Sequence, residues 1–218
     1  MKKLLILIFI LSSIISAQSR TKYSPYYLHS KSMFESLPNT ADEIIFLGNS
    51  ITDGCNWTEL FEDLRVKNRG ISGDVTEGII NRLDEVTESN PSKIFVMIGI
   101  NDLARGMSKK EIFDNYEIIV DKILEASPKT KIYIESILPV NEKYDKFKNH
   151  YSKADSIVSL NNDLENLAKE KGQTYIDLFS SFIDSEGKLK DEFTEDGLHL
   201  NGDAYQLWKS LVEKYVYD

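Results

Sequence analysis

Ser50, Asp196 and His199 are the residue types that together make an activated serine nucleophile. A serine hydroxyl is a weak nucleophile until a histidine takes its proton, and the histidine needs a carboxylate that fixes its tautomer and stabilises its charged form. Asp196 and His199 begin and end the motif DGLH, and no other histidine lies in a motif. This spacing predicts that the carboxylate contacts one ring nitrogen of His199 while the other ring nitrogen faces Ser50.

The same chemistry needs hydrogen-bond donors for the oxyanion of a tetrahedral intermediate. The candidates are the backbone N–H groups of Ser50 and Gly73 and the side-chain amide of Asn101, which lie in GNSIT, NRGISGD and GINDLARG. Loss of one such donor typically lowers the rate by roughly 100-fold to 1000-fold. We therefore interpret Ser50, Gly73 and Asn101 as an oxyanion hole.

Each of these residues also has an ordinary structural explanation. Ser50 follows an apolar run and a glycine, as turn and helix-capping residues commonly do. Gly73 alone is typical of a turn, and His199 alone is typical of an exposed or structurally bonded histidine. The occurrence of all five residues in this order, each after an apolar run or just before the last helix, favours the catalytic interpretation.

Five apolar, β-branched runs predict the strands that would position these stretches. The predicted strands are Ile44–Gly48, Val66–Arg69, Ile94–Ile98, Ile132–Ile137 and Thr174–Leu178. The predicted amphipathic helices are Thr76–Glu88, Lys109–Ala126, Ser156–Lys171 and Gly202–Tyr215. This alternation predicts an α/β fold, a three-layer α/β/α sandwich around a parallel sheet. Because ligands of such sheets bind beyond the carboxyl ends of the strands, the polar stretches should converge on one edge.

The N-terminal segment has the three-part layout of a secretory signal peptide. Residues 1–17 carry two lysines, an apolar run and small residues that end at Ala17, and the apolar run is too short to span a membrane. An uncleaved anchor is the alternative interpretation. We expect residues 18–218 to form a single exported domain, periplasmic or secreted, without stable membrane insertion.

Charge and composition exclude several classes of partner. Removal of residues 1–17 takes away two lysines and no acid, so the net charge falls from −9 to −11. Such a surface repels nucleic acid and anionic membranes. The single cysteine, Cys55, excludes an internal disulfide framework, and three scattered histidines give no metal-binding spacing. A monomer and a homodimer are both compatible with this composition.

The stretches GNSIT, GISGD, GIND and DGLH resemble the four signature blocks of the SGNH/GDSL hydrolases, named for Ser, Gly, Asn and His. The match runs in order from Glu43 to Trp208. The resemblance implies the flavodoxin-like strand order 2-1-3-4-5 and no cofactor. It also implies the catalytic and oxyanion roles already considered for Ser50, Gly73, Asn101, Asp196 and His199.

Longer stretches, FLGNSITDG, VMIGINDLARG and DGLHLNGDAY, resemble the branch of the family similar to platelet-activating-factor acetylhydrolase. Many secreted bacterial members of that branch are acetylesterases, and several act on sugars. The resemblance therefore implies hydrolysis of short-chain acyl esters of carbohydrates or small molecules. One departure is Asn49, where the first block of the family usually has aspartate. We expect it to change the local hydrogen bonds and the pH profile rather than the mechanism.

The segment Pro139–Lys153 follows the fourth predicted strand, so Val140, Asn141, Tyr144 and Phe147 are candidates to line the substrate site. Aromatic side chains in such loops stack on sugar rings or serve as packing anchors, and the sequence leaves both interpretations open. No uninterrupted apolar loop is present that would build a lipid groove, which favours a short acyl group.

Two other functions remain open at this point. A lysophospholipase or thioesterase of the same fold would differ in its preference for acyl chain length. A catalytically silent carbohydrate-binding protein would have no need of the complete set of Ser, Gly, Asn, Asp and His residues.

Overall fold

All five strands of the sheet run parallel, in the order β2-β1-β3-β4-β5. A computed structural model describes residues 23–218, and the predicted signal peptide, residues 1–17, lies outside the described residues. The strands are β1 Ile44–Gly48, β2 Val66–Gly70, β3 Lys93–Met97, β4 Lys131–Glu135 and β5 Thr174–Ile176. The predicted α/β fold and strand order are confirmed. Strand order reverses between β1 and β3, which is where such sheets bind ligands.

Helices cover both faces of the sheet. They are α1 Pro25–Ser36, α2 Ser50–Asp53, α3 Trp57–Phe61, α4 Thr76–Ile80, α5 Leu83–Thr87, α6 Ile100–Ala104, α7 Lys109–Ala126, α8 Lys148–Tyr151, α9 Ala154–Glu170, α10 Phe179–Phe182 and α11 Gly202–Val216. Single 3-10 turns lie at Glu142–Tyr144 and Asp191–Phe193. Helix α7 has the predicted bounds, while α9 and α11 differ from prediction by one or two residues. Their long apolar stripes made these three helices predictable.

The predicted helix Thr76–Glu88 is wrong as a single element, because the chain breaks it into α4 and α5. Arg82 lies at the break with φ −126° and ψ 15°, outside helical geometry. This conformation directs its guanidinium into the protein, where it bonds the Asp74 carboxylate and the carbonyl oxygens of Gly48 and Arg69. The apolar period continues through both helices, so the sequence pattern hides the break.

Two predicted strands extend two residues beyond the observed ladders, and a third, Ile94–Ile98, extends one residue beyond β3. The β4 ladder ends at Glu135, and Asn161 bonds both the N–H and the carbonyl of Ile137 at 2.8 and 2.9 Å. The β5 ladder ends at Ile176, and the Ser136 hydroxyl accepts bonds from Leu178 and Phe179. Side chains thus replace the ladder where the chain leaves the sheet.

Aromatic side chains fill the core under one face of the sheet. Phe46 lies between Trp57 and Phe95 with ring centroids 4.0 and 4.7 Å away, and Trp208 meets Trp57 edge-on. Trp208 donates its indole N–H to the Glu135 carboxyl at 2.7 Å. Glu135 is only 1% exposed, and burial raises the pKa of this carboxyl to about 8 although the indole bond opposes the shift.

Gly48, the last residue of β1, permits the close approach of α2 to the sheet. A Cβ atom at this position would lie 2.2 Å from the Thr52 hydroxyl oxygen and 2.6 Å from the Met97 carbonyl oxygen. Only glycine fits such a contact without displacement of the backbone. The strand can therefore turn at once into α2, whose first residue is Ser50.

Candidate active site

Ser50, His199 and Asp196 form one hydrogen-bonded row at the carboxyl edge of the sheet. The Ser50 hydroxyl oxygen lies 3.0 Å from Nε2 of His199, and Nδ1 of His199 lies 2.8 Å from Oδ2 of Asp196. A carboxylate only accepts hydrogen bonds, so the ring proton lies on Nδ1 and Nε2 accepts from the serine hydroxyl. All three side chains are half-buried, which leaves the row open to a ligand.

Asp196 is held in place by its own turn. Its Oδ1 accepts bonds from the backbone N–H groups of Leu198 and His199 at 3.0 and 2.8 Å. Partial burial opposes ionisation, but the bonds from the His199 ring and these two N–H groups outweigh it and hold the pKa of Asp196 below its usual range. The carboxylate is therefore charged at neutral pH.

Thr194 fixes the same turn and was missed from the sequence. Its buried hydroxyl donates to the His199 carbonyl at 2.7 Å and accepts from the N–H groups of Asp196 and Gly197. A threonine two residues before an aspartate is common in turns, so only its burial in the fold reveals this role.

The backbone N–H and carbonyl groups of the turn that presents Ser50 form hydrogen bonds with nearby polar side chains. Oδ1 of Asn49 accepts the Ile51 N–H at 3.0 Å and caps helix α2. Asn68 and Trp57 donate side-chain N–H groups to the Thr52 carbonyl at the other end. Capping by Asn49 uses an oxygen acceptor, which aspartate would also provide.

Gly73 and Asn101 are the two other candidate oxyanion donors. Gly73 lies on the loop that follows β2, and Asn101 lies in helix α6, which follows β3. Gly73 has a φ of +79°, which favours glycine, and its carbonyl accepts a bond of 2.6 Å from the exposed Arg105 guanidinium. Asn101 is 9% exposed and donates its side-chain N–H to the Asp74 carbonyl at 2.9 Å. This bond joins helix α6 directly to the loop that follows β2.

Asp102 ties the Asn101 helix, α6, to the start of α4. Its Oδ1 accepts from the Thr76 N–H at 2.9 Å and from the Thr76 hydroxyl at 2.6 Å, while Oδ2 is buried without a partner among residues 23–218. Burial raises the pKa of this carboxyl, although the Thr76 bonds oppose the shift.

Helix α8 contributes a second histidine that sequence reasoning missed. Nε2 of His150 lies 3.0 Å from the Asn101 side-chain oxygen. The Phe147 ring meets the rings of His150 and His199 edge-on, with centroids 5.7 and 5.2 Å away. His150 carries no motif of its own, and only the path of the loop after β4 brings it to the site.

Three other candidates lie on the segment that follows β4, and one of them, Asn141, donates its backbone N–H to the Gly197 carbonyl of the DGLH turn at 2.8 Å. Val140 is buried, and Asn141 donates its amide to the Leu189 carbonyl and the Asp191 carboxylate. Tyr144 donates its hydroxyl to the Thr194 carbonyl at 3.2 Å. These contacts give the three residues packing partners, while a role of Val140, Asn141 and Tyr144 in substrate contact stays a prediction.

The described part of the chain, residues 23–218, contains neither a cluster of metal ligands nor a helix suited to span a membrane. No group of three or more His, Cys, Asp or Glu side chains is placed to hold a metal ion there. None of the helices in that range combines the length and the apolar character that crossing a membrane requires.

Sequence comparison relates the chain to known proteins. The profile of the GDSL-like Lipase/Acylhydrolase family matches residues 46–207. Platelet-activating factor acetylhydrolase IB subunit alpha2 of Homo sapiens is 28% identical over 178 residues, which cover 78% of this chain and 75% of that protein. Subunit alpha1 of Bos taurus is 25% identical over 169 residues, which cover 75% and 70% of the two chains.

Several solved structures share this fold. A Streptococcus pneumoniae structure described as a platelet activating factor superposes with a TM-score of 0.81 at 30% identity, covering 88% of this chain and 93% of that one. A GDSL-like lipase from Bacteroides thetaiotaomicron gives 0.75 at 23% identity, covering 87% and 96%. An acetylxylan esterase from Geobacillus stearothermophilus gives 0.61 at 19% identity, covering 83% and 97%.

The sheet order and the family match together define the class of the molecule, which is that of the ester hydrolases. Within that class, the chain belongs to the GDSL-like lipase/acylhydrolase family.

Proposed function

We propose that the protein is a serine esterase that removes short acyl groups, acetyl above all, from carbohydrates or small molecules. The observation that carries this proposal is the unbroken row from the Ser50 hydroxyl through His199 to Asp196, with bonds of 3.0 and 2.8 Å. This geometry gives a hydroxyl with a proton acceptor in contact and a charged carboxylate behind that acceptor.

In the first half of the reaction, the Ser50 oxygen attacks the ester carbonyl carbon as its proton passes to Nε2 of His199. The resulting oxyanion accepts hydrogen bonds from the backbone N–H groups of Ser50 and Gly73 and from the Asn101 amide. The bond to the leaving oxygen then breaks, the imidazolium donates its proton to that oxygen, and the alcohol departs. Asp196 stabilises the charged ring throughout.

In the second half, water attacks the acyl carbon and gives a proton to His199. The acyl–serine bond breaks, the Ser50 oxygen takes the proton back, and the carboxylic acid leaves. Apart from the ester and the attacking water, both halves use only groups of this chain.

A short acyl group is favoured by the space around the row. Phe147 lies against the His199 ring, and helix α8 covers the adjacent Asn101. The names of the relatives, two acetylhydrolase subunits and an acetylxylan esterase, agree with acetyl as the group removed. Export to a periplasm or out of the cell remains part of the proposal and rests on residues 1–17 alone.

Turnover of p-nitrophenyl acetate, butyrate and octanoate by residues 18–218 tests this function. We expect rates that fall with chain length and decrease at least about 1000-fold in Ser50→Ala. Ser210→Ala, an exposed serine on α11, is the matched control and should behave as the unmodified protein. Preference for octanoate would favour a lysophospholipase or thioesterase. Equal and negligible rates in all three proteins would contradict catalysis and leave the silent carbohydrate-binding alternative.

A further inference from the structure

The orientation of the Asn101 amide is determined by its two neighbours. One neighbour is the Asp74 carbonyl oxygen, which only accepts hydrogen bonds, so the amide nitrogen must face it. The distance from Nδ2 of Asn101 to this oxygen is 2.9 Å. The amide oxygen consequently faces Nε2 of His150 at 3.0 Å. One amide hydrogen is then used on Asp74, and the second remains for a ligand.

This orientation fixes the proton of His150 as well. Since the Asn101 oxygen is an acceptor, Nε2 of His150 must carry a hydrogen. Burial, and then the positive charges that His199 and Arg105 can carry, lower the pKa of His150 below its ordinary value. The ring is therefore neutral at pH 7 in its Nε2–H tautomer, which is the opposite of the tautomer of His199.

Helix α8 is itself anchored to the site, so His150 is not a loosely held surface group. The Tyr151 hydroxyl donates to the Asp196 carbonyl at 2.6 Å, and the ring of Phe147, the residue before α8, packs edge-on against the His199 ring. The helix thus contacts the oxyanion side of the site through His150 and the acid side through Tyr151.

We infer that His150 is a positioning residue that holds the Asn101 amide in the orientation in which its free hydrogen meets the oxyanion. This inference rests on the proposed function. Without the Nε2–H donor, the Asn101 oxygen loses its partner and the amide can rotate about its terminal torsion, which has a broad energy profile. The oxyanion forms only in the transition state and intermediate, so the loss should lower kcat rather than raise KM.

Two variants of His150 separate a hydrogen-bond role from a packing role. His150→Leu removes the N–H donor and fills the space with an apolar side chain of similar size. We expect kcat on p-nitrophenyl acetate to fall about 10-fold to 100-fold, while KM stays within about 3-fold of its value in the unmodified protein. His150→Gln keeps an N–H donor near Nε2, and kcat should stay within about 3-fold of the unmodified protein. Equal losses in both variants, or an unchanged kcat in His150→Leu, would overturn the inference.

A measurement without turnover separates this inference from the proposed function. Long-range ¹⁵N–¹H spectra of the histidine rings should give the Nε2–H tautomer for His150 in the unmodified protein, and the Asn101 side-chain amide signals should shift in His150→Leu but much less in His150→Gln. An Nδ1–H tautomer at His150 would refute the inference whether or not the protein cleaves esters. Inactivity of the unmodified protein together with the Nε2–H tautomer would instead contradict the proposed function alone.

Discussion

At the scale of single residues, the Asp196 carboxylate is the group whose charge the proposed mechanism requires. Asp196→Asn keeps the size of the side chain, but it removes the charge that stabilises protonated His199 and allows the wrong ring tautomer. We expect kcat to fall on the order of 1000-fold to 10,000-fold. Steady-state kinetics on p-nitrophenyl acetate measure this effect.

The exposed carboxylate of Glu195 offers the control, because it lies beside Asp196 in the sequence and outside the row. Glu195→Gln should change kcat less than about 3-fold, as expected for a screened surface charge. Equal effects of the two substitutions would mean that net charge rather than the contact with His199 matters.

Asn49 is the residue at which this chain departs from the usual first block of its family. Asn49→Asp keeps the oxygen that caps Ile51 and adds a negative charge beside Ser50. A negative charge there would favour the protonated form of His199. Because the histidine must be neutral to accept the serine proton, the acid limb of the pH profile of kcat/KM should move to higher pH. The maximal rate should stay within about 10-fold. A pH–rate profile that does not move would contradict this account.

Sequence alone could predict that Ser50, Asp196 and His199 lie together, because each belongs to a compact motif at a strand end or before a helix. His150 and Thr194 could not be predicted in the same way. His150 reaches Asn101 only through the path of a loop with no regular pattern, and the role of Thr194 depends on the burial of a turn.

At the scale of elements, the buried guanidinium of Arg82 joins the loops that carry the site. It bonds the Asp74 carboxylate at 3.0 Å, the Glu85 carboxylate at 3.4 Å and the Gly48 carbonyl at 3.2 Å. Gly48 precedes the Ser50 turn, and the Asp74 carbonyl bonds Asn101, so one side chain supports both loops.

Arg82→Met should therefore destabilise the protein by about 3 to 5 kcal/mol, because the buried Asp74 carboxylate loses its counter-charge, while Glu85 keeps its ion pair with Arg69. Urea unfolding followed by circular dichroism measures the free energy. Arg65→Met is the matched control, since Arg65 pairs with Asp63 at the surface and such pairs contribute about 1 kcal/mol or less. A loss in Arg82→Met no larger than that in Arg65→Met would contradict the role given to the buried network.

The strands and the long helices were predictable from period alone, whereas the short elements were not. Helix α1 begins at a serine cap and a proline but has only one buried residue, Tyr27, so it carries almost no amphipathic signal. The break between α4 and α5 depends on the inward turn of Arg82, which the apolar period does not report.

At the scale of the whole molecule, Glu135 links stability to pH. Its pKa is raised from 4.5 to about 8, so the folded protein keeps a proton that the unfolded chain releases over this interval. The stability that Glu135 contributes is therefore fully present below pH 4.5 and is lost as the pH rises towards 8, at up to about 1.4 kcal/mol for each pH unit.

Glu135→Gln keeps an acceptor for the Trp208 indole and cannot release a proton. The unmodified protein should lose stability between pH 5 and pH 7.5, whereas the variant has no such loss at this site. We therefore expect the free energy of unfolding of the variant minus that of the unmodified protein to rise over this interval by on the order of 1 to 3 kcal/mol. Chemical unfolding at the two pH values measures the change. Glu165→Gln, a substitution of an exposed residue on α9, is the control and should show no such trend. If the difference in free energy of unfolding between Glu135→Gln and the unmodified protein did not depend on pH, the assignment of a buried, protonated carboxyl would be contradicted.

The central claim, that Ser50 is an activated nucleophile, is tested most directly by reaction with a fluorophosphonate followed by peptide mass spectrometry. The account predicts one adduct, on Ser50, that forms far more slowly in His199→Ala and is absent in Ser50→Ala. Cys55 should stay unmodified, since burial raises the pKa of its thiol to about 12. The absence of an adduct on Ser50, or equal labelling of Ser50 with and without His199, would contradict it.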